Sequence, residues 1–73
     1  DESMFFRTVR AAFAQRRKTL LNCLSAGFGE FNKTELTEIM GSCGLAPSVR
    51  GETLTIEQFA ALSNAIWERK NSL

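Results

Sequence analysis

Two helix starts are written into this chain, and they constrain its fold more than any other feature. Asn32 is followed three residues later by Glu35, and Thr55 by Gln58. In each pair the first side chain can accept from the third residue's backbone N–H, and the third side chain can reach back to the first residue's own N–H. Behind Asn32, the residues Leu36, Ile39, Met40 and Cys43 recur at 0, +3, +4 and +7, with Gly44 placed to end a helix. Behind Thr55, Ile56, Phe59, Ala60, Ser63, Ile66 and Trp67 give the expected buried stripe of a helix running to about Lys70. Trp67 reads there as a core plug or an edge lid before it reads as a platform for a nucleobase.

The first half follows the same period. Asp1 or Ser3 can cap a helix reaching about Gln15, in which Phe5, Val9, Ala12 and Phe13 form the expected core face and Phe6 its edge. Residues 17–26 read as a shorter helix with Leu20, Leu21 and Leu24 on its apolar side and Gly27 as its stop. Periodicity leaves open whether the backbone bends near Gln15 and Arg16 or continues as one long helix. Phe28 and Phe31, in a glycine-containing turn, are expected to drop into the core, and Leu45 to Leu54 is a connection holding the only proline, Pro47. No segment alternates with the period of a strand. The chain therefore reads as all-α: a compact bundle of about four short helices forming one domain over residues 1–73. A chain of 73 residues buries only about 60% of the surface its unfolded form exposes, so the core must be economical.

Charge is distributed unevenly. The net charge is only +1, short of the basic excess of a self-sufficient nucleic-acid binder. Yet Arg7, Arg10, Arg16, Arg17 and Lys18 fall within the first eighteen residues, where the only acids are Asp1 and Glu2. At 100° per residue, Arg7, Arg10, Ala14 and Arg17 lie opposite the apolar face and lead into the run FAQRRKTL. Three adjacent cations resist burial, so this junction is expected at the surface. The residues leave two readings of the stripe open, a plainly solvated face or a face turned toward something anionic.

Composition removes several classes of function. With no histidine and no CxxC spacing there is no zinc ligand set, and no Ser-His-Asp or Cys-His arrangement can be assembled. The glutamates read as exposed helix acids, and neither the acidic loop of an EF-hand nor a glycine-rich phosphate loop occurs. No catalytic residue, cofactor site or metal site is therefore assigned. Cys23 and Cys43 sit in apolar stretches and are expected as reduced thiols. No apolar run approaches the length of a membrane span, so no membrane partner is expected, and a cytoplasmic location is the simplest reading. A first residue that is Asp and not Met suggests a piece of a longer polypeptide.

Two stretches carry a resemblance. FFRTVRAAFAQRRKTLLNCL at 5–24 and RGETLTIEQFAALSNAIWE at 50–68 are similar to the C-terminal helical domain of the small-subunit ribosomal RNA adenine N6,N6-dimethyltransferases of the KsgA/RsmA type. FAQRRKTL and Arg50-Gly51-Glu52-Thr53-Leu54 are the most specific pieces, the Asn32 to Gly44 helix fitting more loosely. The resemblance implies a parent enzyme with an S-adenosylmethionine-binding, Rossmann-like catalytic domain ahead of this one, methylating two adjacent adenosines of small-subunit rRNA. Neither that family's glycine-rich cofactor motif nor its Asn-Leu-Pro-Tyr type motif occurs here, so the cofactor belongs to the absent catalytic domain. What the resemblance implies for this chain is an accessory domain that positions ribosomal RNA or an immature small subunit, with its own N-terminal catalytic domain as a second partner. Arg7, Arg10, Arg16, Arg17 and Lys18 are then the candidate phosphate contacts, since a guanidinium fork binds phosphate oxygens bidentately. Arg50 and Glu52 are expected to hold their loop by bonding to backbone or to each other. Two other classes stay open: a helical protein-interaction or interdomain docking module, and a helix-turn-helix-like DNA binder. The latter lacks the expected glycine turn, and its second helix offers few side chains able to read base edges.

Overall fold

The computed structural model describes residues 2–15 and 17–72. Among these it contains four α-helices and no strand: α1 (Glu2–Phe13), α2 (Leu20–Gly27), α3 (Lys33–Ser42) and α4 (Ile56–Asn71), with a 3₁₀ turn at Gly51–Thr53. The all-α bundle expected from periodicity is the fold.

Both capping boxes form. Asn32 Oδ1 accepts from Glu35 N at 2.8 Å while Glu35 Oε1 accepts from Asn32 N at 3.0 Å. Thr55 and Gln58 do the same at 3.1 and 2.8 Å. Beyond α3, Gly44 takes φ +74°, where a Cβ is disfavoured, and the chain turns so that Leu45 N donates to Met40 O at 2.9 Å.

α1 packs against α2, α4 and the 3₁₀ turn, while α3 closes the bundle against α2 and α4. The core is built from Met4, Ala11, Ala12, Leu20, Leu24, Phe28, Phe31, Leu36, Ile39, Met40, Leu45, Phe59, Leu62 and Ile66. Phe28 and Phe31 do enter it, and the α3 face is as expected, with Cys43 half-buried at its end. Cys23 and Cys43 are free thiols.

Three expectations need correction. The buried face of α1 is Met4, Thr8, Ala11 and Ala12, whereas Phe5 and Val9 are half-buried and Phe13 is 45% exposed. The reason is close packing: a Cβ placed on Gly27 would lie 2.6 Å from Ala11 Cβ, and one on Gly51 would lie 3.0 Å from Ala12 O. Backbones this near admit only small side chains, so α1 turns its alanines inward and its phenylalanines to the flank. Thr8 is fully buried because its hydroxyl donates to Met4 O at 2.8 Å within the same helix. On α4, Leu62 joins Phe59, Ser63 and Ile66 in the core, Ile56 stands 75% exposed, and Trp67 occupies an edge position, 42% exposed. Finally, α1 stops at Phe13, short of Gln15, and α2 runs Leu20–Gly27 instead of over 17–26, taking in the glycine expected to stop it; of the two arrangements periodicity left open, separate helices are the one present. No helix among the described residues is long and apolar enough to cross a membrane.

Candidate nucleic-acid interface

The basic junction occupies the break between α1 and α2, and its backbone is held from several sides. Lys18 N donates to Gln15 O at 3.1 Å, forming a turn. Thr19 caps α2 by accepting from Asn22 N, and Leu20 N donates to Val49 O at 2.7 Å, tying the junction to the distant loop. The buried Cys23 thiol donates to Gln15 O at 3.3 Å. Arg50 reaches across 33 residues of sequence to donate from Nη1 to Arg17 O at 2.9 Å. Arg50 thus holds a backbone carbonyl, one of the two alternatives expected of it, and makes no ion pair with Glu52 among the described residues.

Fixing the backbone leaves the cationic side chains outside. Arg17 and Lys18 are exposed, as is Arg10 on α1, and none has an acidic partner among the described residues. The expectation for Arg16 falls outside the described residues.

Arg7 has other employment. Its Nη1 and Nη2 donate to the two Glu30 carboxylate oxygens at 2.9 and 2.8 Å, and Nη2 donates also to Gly27 O at 3.1 Å. Its guanidinium carbon sits 4.2 Å from the centroid of Phe28. Lys70 adds a second cation 3.6 Å from Glu30. The Arg7 hydrogen bonds, helped by a backbone N–H, hold the Glu30 carboxyl below its usual range. This guanidinium therefore joins α1 to the α2–α3 turn. Helical spacing carries no sign of it, because the partners lie 23 residues apart.

Beside the junction lies a cleft of about 240 Å³ lined by Ala12, Phe13, Lys18, Gly51 and Glu52. No spacing in the sequence joins Phe13 to Glu52. The one signal is Gly51, whose lack of a side chain allows the 3₁₀ turn to approach the end of α1. Among the described residues no buried side-chain N or O atom lacks a hydrogen-bond partner, and no group of three His, Cys, Asp or Glu is placed to hold a metal ion.

No family model matches the chain. Among curated proteins it is similar to the ribosomal RNA small subunit methyltransferase A of Bacillus cytotoxicus, with 53% identity over 96% of the chain, and to that of Bacillus mycoides, with 54% identity over 90%. The protein of the same name from Lactococcus lactis is 44% identical, again over 90% of the chain. These matches cover 25%, 23% and 22% of the respective relatives, so the chain spans about a quarter of their length. Along nearly all of its own residues, the chain is homologous to a C-terminal stretch of the ribosomal RNA small subunit methyltransferase A proteins, the KsgA/RsmA type.

Proposed function

We propose that this chain is the RNA-gripping accessory domain of an rRNA adenine dimethyltransferase. The parent enzyme methylates two adjacent adenosines of small-subunit rRNA, and the catalytic work belongs to a separate Rossmann-like domain. The observation that carries this reading is the basic junction: Arg17 and Lys18, with Arg10 nearby in sequence, are exposed without acidic partners among the described residues, on a backbone pinned by Arg50, Val49 and Cys23. A fixed array of unpaired cations suits a duplex backbone, because A-form RNA is recognised mainly by shape and phosphate. Such contacts position a protein without reading sequence. Arg7 is assigned to support, since Glu30 and Gly27 O already occupy its donors.

The parent's methyl donor, S-adenosylmethionine, does not fit the residues present. The core leaves no buried side-chain polar atom awaiting a ligand among the described residues, and the cleft beside the junction is small and open. The catalytic domain is the second partner this reading carries. The exposed Phe6, Ile56 and Trp67 favour a protein contact somewhere on the α1 and α4 surfaces. A cytoplasmic site of action follows from the proposed substrate.

The test is binding to small-subunit rRNA across a salt series, comparing the chain with an Arg16→Ala, Arg17→Ala, Lys18→Ala variant of equal helical content. The log-log slope should become shallower by about one unit for each phosphate that the variant no longer neutralises. Equal, weak binding by both proteins would show that the junction faces solvent or the catalytic domain.

A further inference from the structure

The cleft beside the basic junction has the parts of a nucleobase pocket. We propose that it receives a single unpaired RNA base, with guanine preferred; this rests on the RNA-binding reading above and gives that site a second kind of contact.

Three segments distant in sequence build the cleft: the end of α1 (Ala12, Phe13), the junction (Lys18) and the 3₁₀ turn (Gly51, Glu52). They are held together independently of any ligand. Gly51 lies close against the Ala12 backbone, and Arg50, the residue before it, donates to Arg17 O. Phe13 is the aromatic wall. Its ring packs on Phe59, with centroids 5.8 Å apart at a 43° tilt, while 45% of the residue remains exposed. A ring braced on one side and open on the other can take a stacked base with little further ordering of its own side chain. Leaving that much of a phenylalanine in water contributes nothing to the fold.

The two charged side chains on the rim complement a nucleotide. Lys18 and Glu52 both line the cleft, both are exposed, and no ion pair joins them among the described residues. Lys18 supplies a cation for the phosphate of the bound nucleotide. Glu52 supplies a carboxylate, which accepts hydrogen bonds and donates none. Guanine presents two adjacent donors on its Watson–Crick edge, the ring N–H and the exocyclic amine, and so can bind a carboxylate bidentately. Uracil presents one donor, and cytosine and adenine an amino group beside a ring acceptor that faces the carboxylate unfavourably. The volume agrees: about 240 Å³ is below the roughly 300–1,000 Å³ of sites for drug-sized ligands, and suits one planar base. Sequence-specific RNA recognition commonly works this way, through unpaired bases stacked on aromatic side chains.

The test compares a blunt RNA duplex with the same duplex carrying one bulged nucleotide, in four versions, at one fixed salt concentration. The chain should bind the guanosine bulge at least about fivefold more tightly than the paired duplex, the scale set by one stacked base. Phe13→Ala should abolish that difference while leaving duplex affinity unchanged, and Phe13→Trp should retain it. Glu52→Gln should bind all four bulges comparably. Far-UV circular dichroism on each variant establishes that the helices persist, and Phe13→Trp tests the pocket even where Phe13→Ala unfolds. If the chain binds duplex RNA but makes no distinction between bulged and paired forms, the base pocket is overturned and the phosphate grip stands. A guanosine preference that survives Glu52→Gln overturns the assignment of guanine. If neither RNA is bound here or at any point of the salt series above, the accessory RNA role fails and this pocket with it.

Discussion

Arg7 and Glu30 meet through two parallel hydrogen bonds of 2.9 and 2.8 Å, and the same guanidinium lies 4.2 Å from the centre of the Phe28 ring. The pair is partly solvated, with side chains 39% and 34% exposed, so its Coulombic part is screened. Arg7→Ala removes the cation–π contact and the bond to Gly27 O as well. We expect a destabilisation of about 1–2 kcal/mol in urea denaturation. Arg7→Lys should recover only part of it, since an ammonium lacks the planar fork.

The same pair makes stability depend on pH. Glu30 has its folded-state pKa lowered, first by the Arg7 hydrogen bonds and then by a backbone N–H, which outweigh the opposing cost of burial, with the Arg7 and Lys70 charges adding less. A carboxyl of this kind contributes stability that is fully present above its unfolded pKa and is lost as pH falls through the depressed folded value. Urea midpoints measured from neutral pH into the acid range should therefore fall, and the fall should be shallower in Glu30→Gln. An identical pH profile in the variant would remove Glu30 from the account.

Glycine substitutions should separate by position. A Cβ on Gly27 meets Ala11 Cβ at 2.6 Å, so Gly27→Ala must push α1 and α2 apart, at about 1–3 kcal/mol. Gly41 lies within α3, with nothing within 4 Å of the added carbon. Gly41→Ala should stabilise by about 0.5–1 kcal/mol, because alanine has the higher helix propensity and restricts the unfolded chain. Thermal melts of the two variants should thus shift in opposite directions.

These glycines also explain what a reading of the sequence can reach. Caps are local, and Asn32 with Glu35 and Thr55 with Gln58 are legible because all their partners lie within one turn. The buried face of α1 is not, because hydrophobicity favours Phe5 and Phe13, while the close approach of Gly27 and Gly51 selects Ala11 and Ala12. The helical period correctly groups residues on a face, but it does not say which neighbouring face has a backbone pressed against it. The basic junction is legible as a charge run. Its pinned backbone is only half so: Arg50 is expected to bond within its own surroundings, and its reach to Arg17 O is a tertiary interaction. The diversion of Arg7 from the cationic stripe has no local signal at all.

The two classes of arginine should separate when RNA binding and stability are measured on the same variants. Arg17→Ala and Lys18→Ala remove exposed side chains that have no acidic partner among the described residues, so stability in urea should move by less than about 0.5 kcal/mol. Their rRNA affinity should fall and their salt dependence become shallower, by about one log-log unit for each phosphate given up. Arg7→Ala should do the opposite, costing stability while leaving the salt slope of the folded fraction unchanged. Arg50→Ala supplies the deciding comparison. Its side chain bonds to the carbonyl of Arg17 instead of facing an anion, so its removal frees the junction backbone. The number of phosphates neutralised, and hence the slope, should then hold while affinity drops at every salt concentration, because a looser array of cations must be ordered on binding. A slope change in Arg50→Ala as large as that of Arg17→Ala would instead place its guanidinium directly on phosphate, with the bond to Arg17 O exchanged for it when RNA arrives.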